Sequence, residues 1–268
     1  MAKGVAYLQD WHDRHPGATS TMLSSMTGDS GKNTYEVLAE AIPRGSEPVL
    51  DLACGDGYLL ELLRTDRGCL GTDWNIGELQ AASHRLGPGA PLVRADAAAL
   101  PIATASLGAV GCHYALMLLQ PLEVVLTEIA RVLRPDGVLA CVLPASPPDE
   151  KSGPISVFRA SWQEVTAAFP VDIPPIQDDR AVNPESLAVV LADVGFTSVS
   201  TQSISVAQQM TVEKTIESVL LTYLPDLLPA AGIARLKDRL EIGLAGVADD
   251  TGMVTFTDSS HLVRAYRG

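Results

Sequence analysis

The sequence predicts an α/β fold in which helices cover both faces of a mostly parallel sheet. Short apolar segments alternate with amphipathic helical segments along the chain, as expected for parallel strands joined by crossover helices. The clearest unit is Val49–Ala53, an apolar run typical of a buried strand, which leads through glycines at positions 55 and 57 into a helical segment, Tyr58–Leu63. A hydrophobic content of 47% is sufficient for a large core. These observations together predict a doubly wound α/β domain.

Length, composition and charge limit the domain size and the classes of partner that the protein can bind. A length of 268 residues fits one large domain, or one core with a cap. The net charge of −13 and the scattered Lys and Arg residues argue against nucleic acid as a partner. We find no apolar stretch long enough to span a bilayer and no signal-peptide pattern in the first ten residues, so we expect a cytoplasmic protein without membrane contact. Four cysteines without metal-ligand spacing predict reduced, buried thiols and no metal site.

The first 43 residues predict helices that lie over the core. Positions 8, 11, 12 and 15 share one helical face, which contains Trp11, His12 and His15. This helix either packs on the core or forms a lid over a ligand. Residues 17–33 are rich in Ser, Thr and Gly and predict a flexible loop, and Asn33 or Thr34 is expected to cap the helix that follows.

The glycine turn after the first strand predicts a nucleotide-type ligand. A strand, a tight turn and a helix N-terminus allow backbone N–H groups to approach a ligand closely. The dinucleotide fingerprint requires a small residue at position 60, and Leu60 argues against it. The residues Asp51, Ala53, Gly55 and Gly57 instead resemble the first motif of class I S-adenosylmethionine-dependent methyltransferases, Asp/Glu-x-Gly-x-Gly-x-Gly, with Ala53 replacing the first glycine.

Two further carboxylates follow in the order that this resemblance implies. The second strand, Cys69–Thr72, ends at Asp73, 16 residues after Gly57, where a Rossmann-like unit places a ribose-binding carboxylate. The neighbouring Trp74, or Ile76, is expected to pack against the adenine face. A helix over residues 78–86 and a third strand over residues 91–95 lead to Asp96 and Ala97. Their Asp-Ala-x-x-Leu-Pro string resembles the family's contact with adenine, in which the carboxylate accepts from the amino group and the next N–H donates to the ring.

The fourth strand is expected to deliver the residues nearest to the chemistry. The segment Ser106–Cys112 ends at His113, Tyr114 and Met117, and ligands of open α/β sheets bind outside the carboxyl ends of the strands. We therefore expect the methyl donor and its acceptor to meet here. His113 is the candidate general base because imidazole titrates near neutral pH; it is also interpreted as a residue that only lines the pocket.

The next unit completes the resemblance. A helix over residues 123–133, a Pro-x-Gly turn and a fifth strand over residues 138–143 are similar to the same family, so the resemblance covers residues 49–143. It implies a Rossmann-like, doubly wound, seven-stranded, mostly parallel sheet whose last strand is antiparallel. S-adenosyl-L-methionine is the implied cofactor.

Beyond residue 143 the sequence predicts a helical cap and the last two strands. Phe158 and Trp162 belong to a helical stripe that forms either core packing or a wall of the acceptor pocket. Residues 197–206 predict the sixth strand, and residues 253–267 the last one, at the antiparallel edge. We expect a single domain with a lid (1–43), a cofactor-binding core (44–143) and cap inserts (144–182 and 207–250).

These expectations combine into one function and two alternatives. The predicted reaction is in-line methyl transfer from S-adenosylmethionine to a small, largely apolar or aromatic acceptor, with secondary metabolism as the expected setting and a monomer or homodimer as the active form. The predicted acceptor pocket contains Trp11, His12, His15, Tyr114, Met117, Phe158 and Trp162. One alternative is a protein of the same fold that binds the cofactor but catalyses another reaction, such as cyclisation of a natural product. The other is a nucleotide-binding regulatory module without catalysis.

Overall fold

A computed structural model describes residues 2–64, 68–145 and 153–268 of the chain. Its centre is a seven-stranded sheet of order β3-β2-β1-β4-β5-β7-β6, in which β1 to β5 are parallel and β7 is antiparallel to both of its neighbours. The strands are β1 (Val49–Leu52), β2 (Cys69–Asp73), β3 (Leu92–Arg94), β4 (Leu107–His113), β5 (Leu133–Pro144), β6 (Phe196–Thr211) and β7 (Met253–Arg267). The predicted fold class is confirmed.

Twelve helices in the described residues surround this sheet. They are α1 (Ala2–Arg14), α2 (Ala18–Leu23), α3 (Thr34–Ala41), α4 (Tyr58–Leu63), α5 (Ile76–Leu86), α6 (Leu122–Val132), α7 (Pro154–Ala168), α8 (Asp179–Val182), α9 (Pro184–Asp193), α10 (Val212–Leu220), α11 (Tyr223–Asp226) and α12 (Ala230–Ala245). A 3-10 turn, Leu116–Leu118, follows β4. Across the three described ranges, none of these helices combines the length and apolarity needed to cross a membrane.

Several details differ from the sequence-based expectations. The sixth strand is longer than expected, because β6 continues past residue 206 to Thr211, paired with β7. The last strand is not the edge of the sheet, because β7 pairs with β5 on one side and with β6 on the other, which leaves β6 at the edge. The segment 17–33 is not a continuous loop but contains α2. The fifth strand begins at Leu133 rather than at position 138, because Leu133 pairs with Leu107 before the register shifts.

The central parallel strands β1 and β4 are buried on both faces, which is why they appear in the sequence as apolar runs, whereas the edge strand β3 is partly exposed. Every residue of β1 and of β4 is buried. One face packs against α6 and α9, whose apolar stripes include Leu126 and Leu187, and the other face packs against α3 and α4 through residues such as Leu38 and Leu59. The carboxyl ends of β1, β2 and β4 therefore project from a rigid core, and the site lies there.

The helical inserts have a core of their own. It joins α7, α10 and α12 to the start of β7, and we call it the cap cluster. Its buried members are Val165, Ile216, Leu228, Leu236, Leu240, Leu244 and Val254. The division of the chain into lid, core and cap remains a prediction.

Candidate functional site

A cavity of about 360 Å³ opens at the carboxyl ends of the parallel strands. Its walls come from the turn after β1, the ends of β2 and β4, the segment after β3, the helix α1 and the start of α11. Ten residues that the sequence predicts for the site line it: His12, Asp51, Ala53, Gly55, Asp73, Trp74, Asp96, Ala97, His113 and Tyr114. The structure thus gathers carboxylates from three successive strand ends around one space.

The turn after β1 adopts the left-handed backbone that its glycines permit. Ala53, Gly55 and Gly57 have φ angles of 55°, 52° and 81°. At Gly55 this conformation directs the N–H group toward the end of β2, where it donates to Asp73 Oδ2 at 2.9 Å. Ala53 takes the same conformation although it has a side chain, which is a strained geometry of the kind that clusters at binding sites.

Asp51 is buried beneath this turn. Its side chain is 1% exposed, and its Oδ2 atom has no hydrogen-bond partner. Burial raises the pKa of this carboxyl well above its ordinary value, and the nearby carboxyl of Asp73 raises the pKa further. An unsatisfied buried oxygen is costly, so it marks a position where a donor or a cation would be stabilising.

At the end of β2, backbone amides hold Asp73 in place. Its Oδ1 accepts from the N–H of Asn75 at 2.8 Å, and its Oδ2 accepts from Gly55. Burial raises the pKa of Asp73, while these two N–H groups oppose that shift. The ring of Trp74 beside it is 46% exposed and lines the mouth of the cavity. Backbone N–H groups therefore fix the orientation of both carboxylate oxygens of Asp73, which lines the cavity.

The segment after β3 forms a second short turn. Asp96 Oδ1 accepts from the N–H of Ala98 at 2.9 Å, and the carbonyl oxygen of Asp96 accepts from Ala99. Ala97 lies buried at the tip of this turn and lines the cavity. Asp96 and Ala97 of this turn therefore both line the cavity.

At the end of β4, His113 is buried under the ring of Tyr35. The two rings stack with centroids 3.5 Å apart, and Nε2 lies 2.9 Å from Thr34 Oγ1. Nδ1 has no partner. Burial lowers the pKa of His113 to about 3. This environment disfavours the imidazolium form and supports the interpretation of His113 as pocket lining over that of a base.

The next residue, Tyr114, is fixed by contacts across the sheet. Its φ angle is 50°, and its phenol donates to the carboxylate of Asp258 and lies 2.6 Å from Ser260 Oγ. Burial raises the pKa of Tyr114 above its usual range, and so does the adjacent Asp258. Tyr114 therefore remains a neutral wall of the cavity.

Six residues predicted for the site do not line the cavity. Gly57 caps α4 and packs against α5, where an added Cβ would lie 3.0 Å from Leu86 Cδ1. The ring of Trp11 is buried and meets the ring of Tyr223 edge to face. His15 follows α1 and contacts Arg14 instead.

The remaining three lie in apolar cores. Met117 is buried in the core beside α6, and its carbonyl oxygen accepts from Asp178. Phe158 and Trp162 stack on each other, with centroids 6.1 Å apart, and pack against the cap cluster. These two residues of the α7 stripe therefore pack in the cap cluster and do not line the cavity.

Sequence reasoning missed several residues of the cavity. Glu78 is 4% exposed and lines the cavity from the first turn of α5. It accepts from His12 Nδ1 at 2.8 Å and from the N–H of Gly17 at 2.9 Å. Tyr223 on α11 lies 3.1 Å from His12 Nε2. Acidic residues are common in first turns, and Tyr223 belongs to an apolar stripe, so neither position carried a distinguishing signal.

The ionisable groups around the cavity are mostly acidic. Asp56 also lines it, with Oδ2 accepting from Ser20 at 2.6 Å and from Arg85 at 2.5 Å. The acidic lining residues are Asp51, Asp56, Asp73, Glu78 and Asp96. Among the described residues that line the cavity there is no Lys or Arg. Such a lining favours a neutral or positively charged occupant.

Residues 50–141 match the family model of a methyltransferase domain. The chain is similar to a demethylmenaquinone methyltransferase of Corynebacterium urealyticum, with 39% identity over 95 residues that cover 35% of this chain and 40% of that protein. It is also similar to a malonyl-[acyl-carrier protein] O-methyltransferase of Enterobacter lignolyticus, with 26% identity over 178 residues that cover 66% of this chain and 65% of that protein.

The alignments thus span 40% and 65% of these two relatives. Among solved structures, the YcgJ protein from Bacillus subtilis superposes with a TM-score of 0.57 and 15% sequence identity, over 87% of this chain and 97% of that one. At this identity the likeness concerns the fold alone.

Proposed function

We propose that this chain, which has a class I S-adenosylmethionine-dependent methyltransferase domain, transfers a methyl group from S-adenosylmethionine to a small, neutral, largely apolar or aromatic acceptor. The observation that carries the proposal is the buried, unpartnered Oδ2 of Asp51 beside a left-handed turn, in a cavity lined by five carboxylates. S-adenosylmethionine carries its methyl group on a positively charged sulfur, and this charge makes the methyl carbon electrophilic. The lining suits a ligand with sulfonium and ammonium groups.

The residues present fit this cofactor. We assign the ribose to the carboxylate of Asp73, because two fixed oxygens can accept from two hydroxyl groups. Adenine is assigned to Trp74, Asp96 and Ala97, which line the cavity beside it. Asp51 is assigned to the amino-acid end. In this arrangement the chain acts mainly by holding the acceptor in line with the methyl carbon and by excluding water.

The aromatic lining supports a flat, weakly polar acceptor. Tyr35, Tyr114 and Tyr223 contribute rings to the cavity, with Leu118 and Leu119 as apolar neighbours. The substrates named for the two relatives differ in charge: demethylmenaquinone is a neutral naphthoquinone, whereas a malonyl group ends in a carboxylate. A carboxylate acceptor would have to enter a lining of like charge. We therefore propose an aromatic acceptor of the naphthoquinol type.

We also propose a cytoplasmic setting in secondary metabolism and a monomer or homodimer. Cys54, Cys112 and Cys141 are buried thiols, which is in keeping with a reducing compartment. Light scattering of the purified chain checks the oligomeric state, and a larger assembly would contradict it.

The cofactor assignment is tested by calorimetric titration with S-adenosylmethionine and with S-adenosylhomocysteine. We expect micromolar dissociation constants for both, equivalent to about 8 kcal/mol. Asp73→Asn should weaken both by about tenfold or more, because it removes charge-assisted hydrogen bonds of about 1.5–3 kcal/mol each. The matched control is Asp193→Asn, an exposed position on α9. Lack of binding by the wild type would refute the proposal.

The acceptor is tested by turnover. Formation of S-adenosylhomocysteine is measured with 1,4-naphthalenediol under reducing conditions and, in parallel, with a malonyl thioester. We expect turnover of the naphthalenediol only. Methylation of the malonyl thioester alone would contradict the neutral acceptor, and turnover of neither compound would refute the proposed acceptor class.

A further inference from the structure

We propose that His12, Glu78 and Tyr223 form a proton relay in the wall of the cavity, in which the Tyr223 phenol takes the proton that the acceptor loses on methylation. This inference rests on the proposed function and names the acid–base groups of the same site. The sequence placed His12 in the acceptor pocket without a chemical role and did not single out the other two.

The hydrogen bonds fix the direction of the relay. A carboxylate only accepts, so the Nδ1–H of His12 donates to Glu78 Oε1 at 2.8 Å. Nε2 then carries the lone pair and accepts from the phenol of Tyr223 at 3.1 Å. The order carboxylate, imidazole, hydroxyl is the one in which an imidazole withdraws a proton from a hydroxyl group and a carboxylate stabilises the resulting imidazolium.

The relay is assembled from three separate elements. His12 lies on α1, Glu78 on α5 and Tyr223 on α11, and all three line the cavity. The rings of Trp11 and Tyr223 meet edge to face, with centroids 4.6 Å apart. The phenol of Tyr7 donates to the carbonyl oxygen of Tyr223 at 2.5 Å.

Further contacts keep the outer groups in place. Arg14 forms two hydrogen bonds with Asp226 at 2.7 and 2.8 Å and so ties α1 to α11. Glu78 is held on its other oxygen by the N–H of Gly17. The three groups are thus oriented before any acceptor enters, which is what efficient proton transfer needs.

Other groups around the cavity are less suited to take a proton. The pKa of His113 is lowered to about 3 by burial, so it remains neutral. Asp56 is engaged by Arg85 and Ser20. Asp73 is engaged by two backbone amides, and the phenol of Tyr114 is engaged by Asp258. Asp51 is assigned to the cofactor.

The step balances without an additional reactant. The O–H bond of the acceptor breaks, and its proton moves to the Tyr223 oxygen while the proton of that phenol moves to His12 Nε2. The electron pair stays on the acceptor atom, which forms its bond to the methyl carbon as that carbon leaves sulfur. Burial and the nearby Glu78 raise the pKa of Tyr223 above its usual range. The phenol is therefore protonated at rest and accepts a proton only as it gives up its own.

Turnover of 1,4-naphthalenediol tests the relay. Tyr223→Phe and His12→Ala should each lower kcat about 100-fold. Their affinity for S-adenosylhomocysteine, measured by calorimetry, should stay near the wild-type value, which separates lost catalysis from lost folding. Added imidazole should restore part of the activity of His12→Ala and none of that of Tyr223→Phe. The matched control is His84→Ala, an exposed histidine on the same helix as Glu78, with wild-type turnover.

A second measurement does not depend on turnover. Nitrogen-15 NMR of labelled histidine should show His12 as the Nδ1–H tautomer, and Glu78→Gln should change that signal. An Nε2–H tautomer in the wild type would overturn the relay. Wild-type turnover that persists in Tyr223→Phe would overturn the relay alone, whereas absence of turnover in the wild type would overturn the proposed function and the relay with it.

Discussion

His113 shows how the environment of one residue decides what it can do. It occupies the end of β4, where a base would be useful, but it is enclosed between the ring of Tyr35 and the hydroxyl of Thr34. Burial lowers its pKa to about 3, so the imidazole is neutral at any pH at which the protein would be assayed. A neutral imidazole can stack on Tyr35 and line the cavity wall, but with this pKa it is a weak base.

The same burial predicts a pH dependence of stability. Below the ordinary histidine pKa of about 6.5, the unfolded chain binds a proton at this position and the folded chain does not until about pH 3, so the free energy of unfolding falls as pH falls through this window. Between pH 7 and pH 5 the loss due to His113 should be about 2 kcal/mol. Urea unfolding at a series of pH values should show this loss of unfolding free energy in the wild type and not in His113→Gln. His84→Gln, at an exposed position, serves as control, and an unchanged slope in His113→Gln would contradict the assignment.

At the scale of elements, α3 is the support of the His113 wall. Its capping box satisfies two backbone donors: Asn33 Oδ1 accepts from the N–H of Glu36, and Glu36 accepts from the N–H of Asn33, both at 2.9 Å. The first two helical residues, Thr34 and Tyr35, are the ones that hold His113. A cap at the start of one helix therefore sets the geometry of the cavity wall.

Loss of this cap should have two effects. Asn33→Ala should lower the free energy of unfolding by about 1 kcal/mol, measured in urea, because the N–H of Glu36 loses its acceptor. It should also weaken binding of S-adenosylhomocysteine, because Thr34 and Tyr35 are no longer held. Asn183→Ala removes the cap of α9, far along the chain from the cavity, and should have a similar cost without the effect on binding. Equal binding in both variants would argue against this role of α3.

The sequence was sufficient where a local pattern and the site coincide. The turn at Ala53 to Gly57 and the carboxylates Asp73 and Asp96 follow buried strands, so their common location follows from the sheet alone. The sequence did not predict the partners of His12, because Glu78 and Tyr223 meet it only through the packing of α1 and α11 on the core. For the same reason the sequence left the role of the α7 stripe open, since an apolar face does not reveal what it packs against.

At the scale of the whole molecule, the protein has two kinds of interior. The sheet and its flanking helices form the core that holds the strand ends, and the cap cluster forms a smaller core around α7, α10 and α12. Tyr223 belongs to the insert between β6 and β7, so one wall of the cavity comes from the cap. The packing of the cap is therefore coupled to the site.

A substitution that leaves a cavity in the cap cluster should destabilise the cap more than the sheet core. Leu240→Ala removes a fully buried side chain from α12 and should lower the free energy of unfolding by about 2–5 kcal/mol. Hydrogen exchange should accelerate in α7, α10 and α12 more than in β1 and β4. Ile242→Ala on the same helix, at a position 67% exposed, should change stability by less than about 0.5 kcal/mol. Uniform acceleration throughout the chain would show that the cap is not a separate interior.

The position of β7 between β5 and β6 has a consequence for the order in which the protein can be made. During synthesis, the residues of β6 leave the ribosome before those of β7, and within the described residues β7 is the strand of the sheet that pairs with β6. In a nascent chain that ends before residue 253, the sixteen-residue β6 lacks β7, so most of its backbone hydrogen-bonding groups stay without the partners they have in the sheet. The interval before β7 emerges is therefore the time at which a chaperone would protect this chain from association with itself.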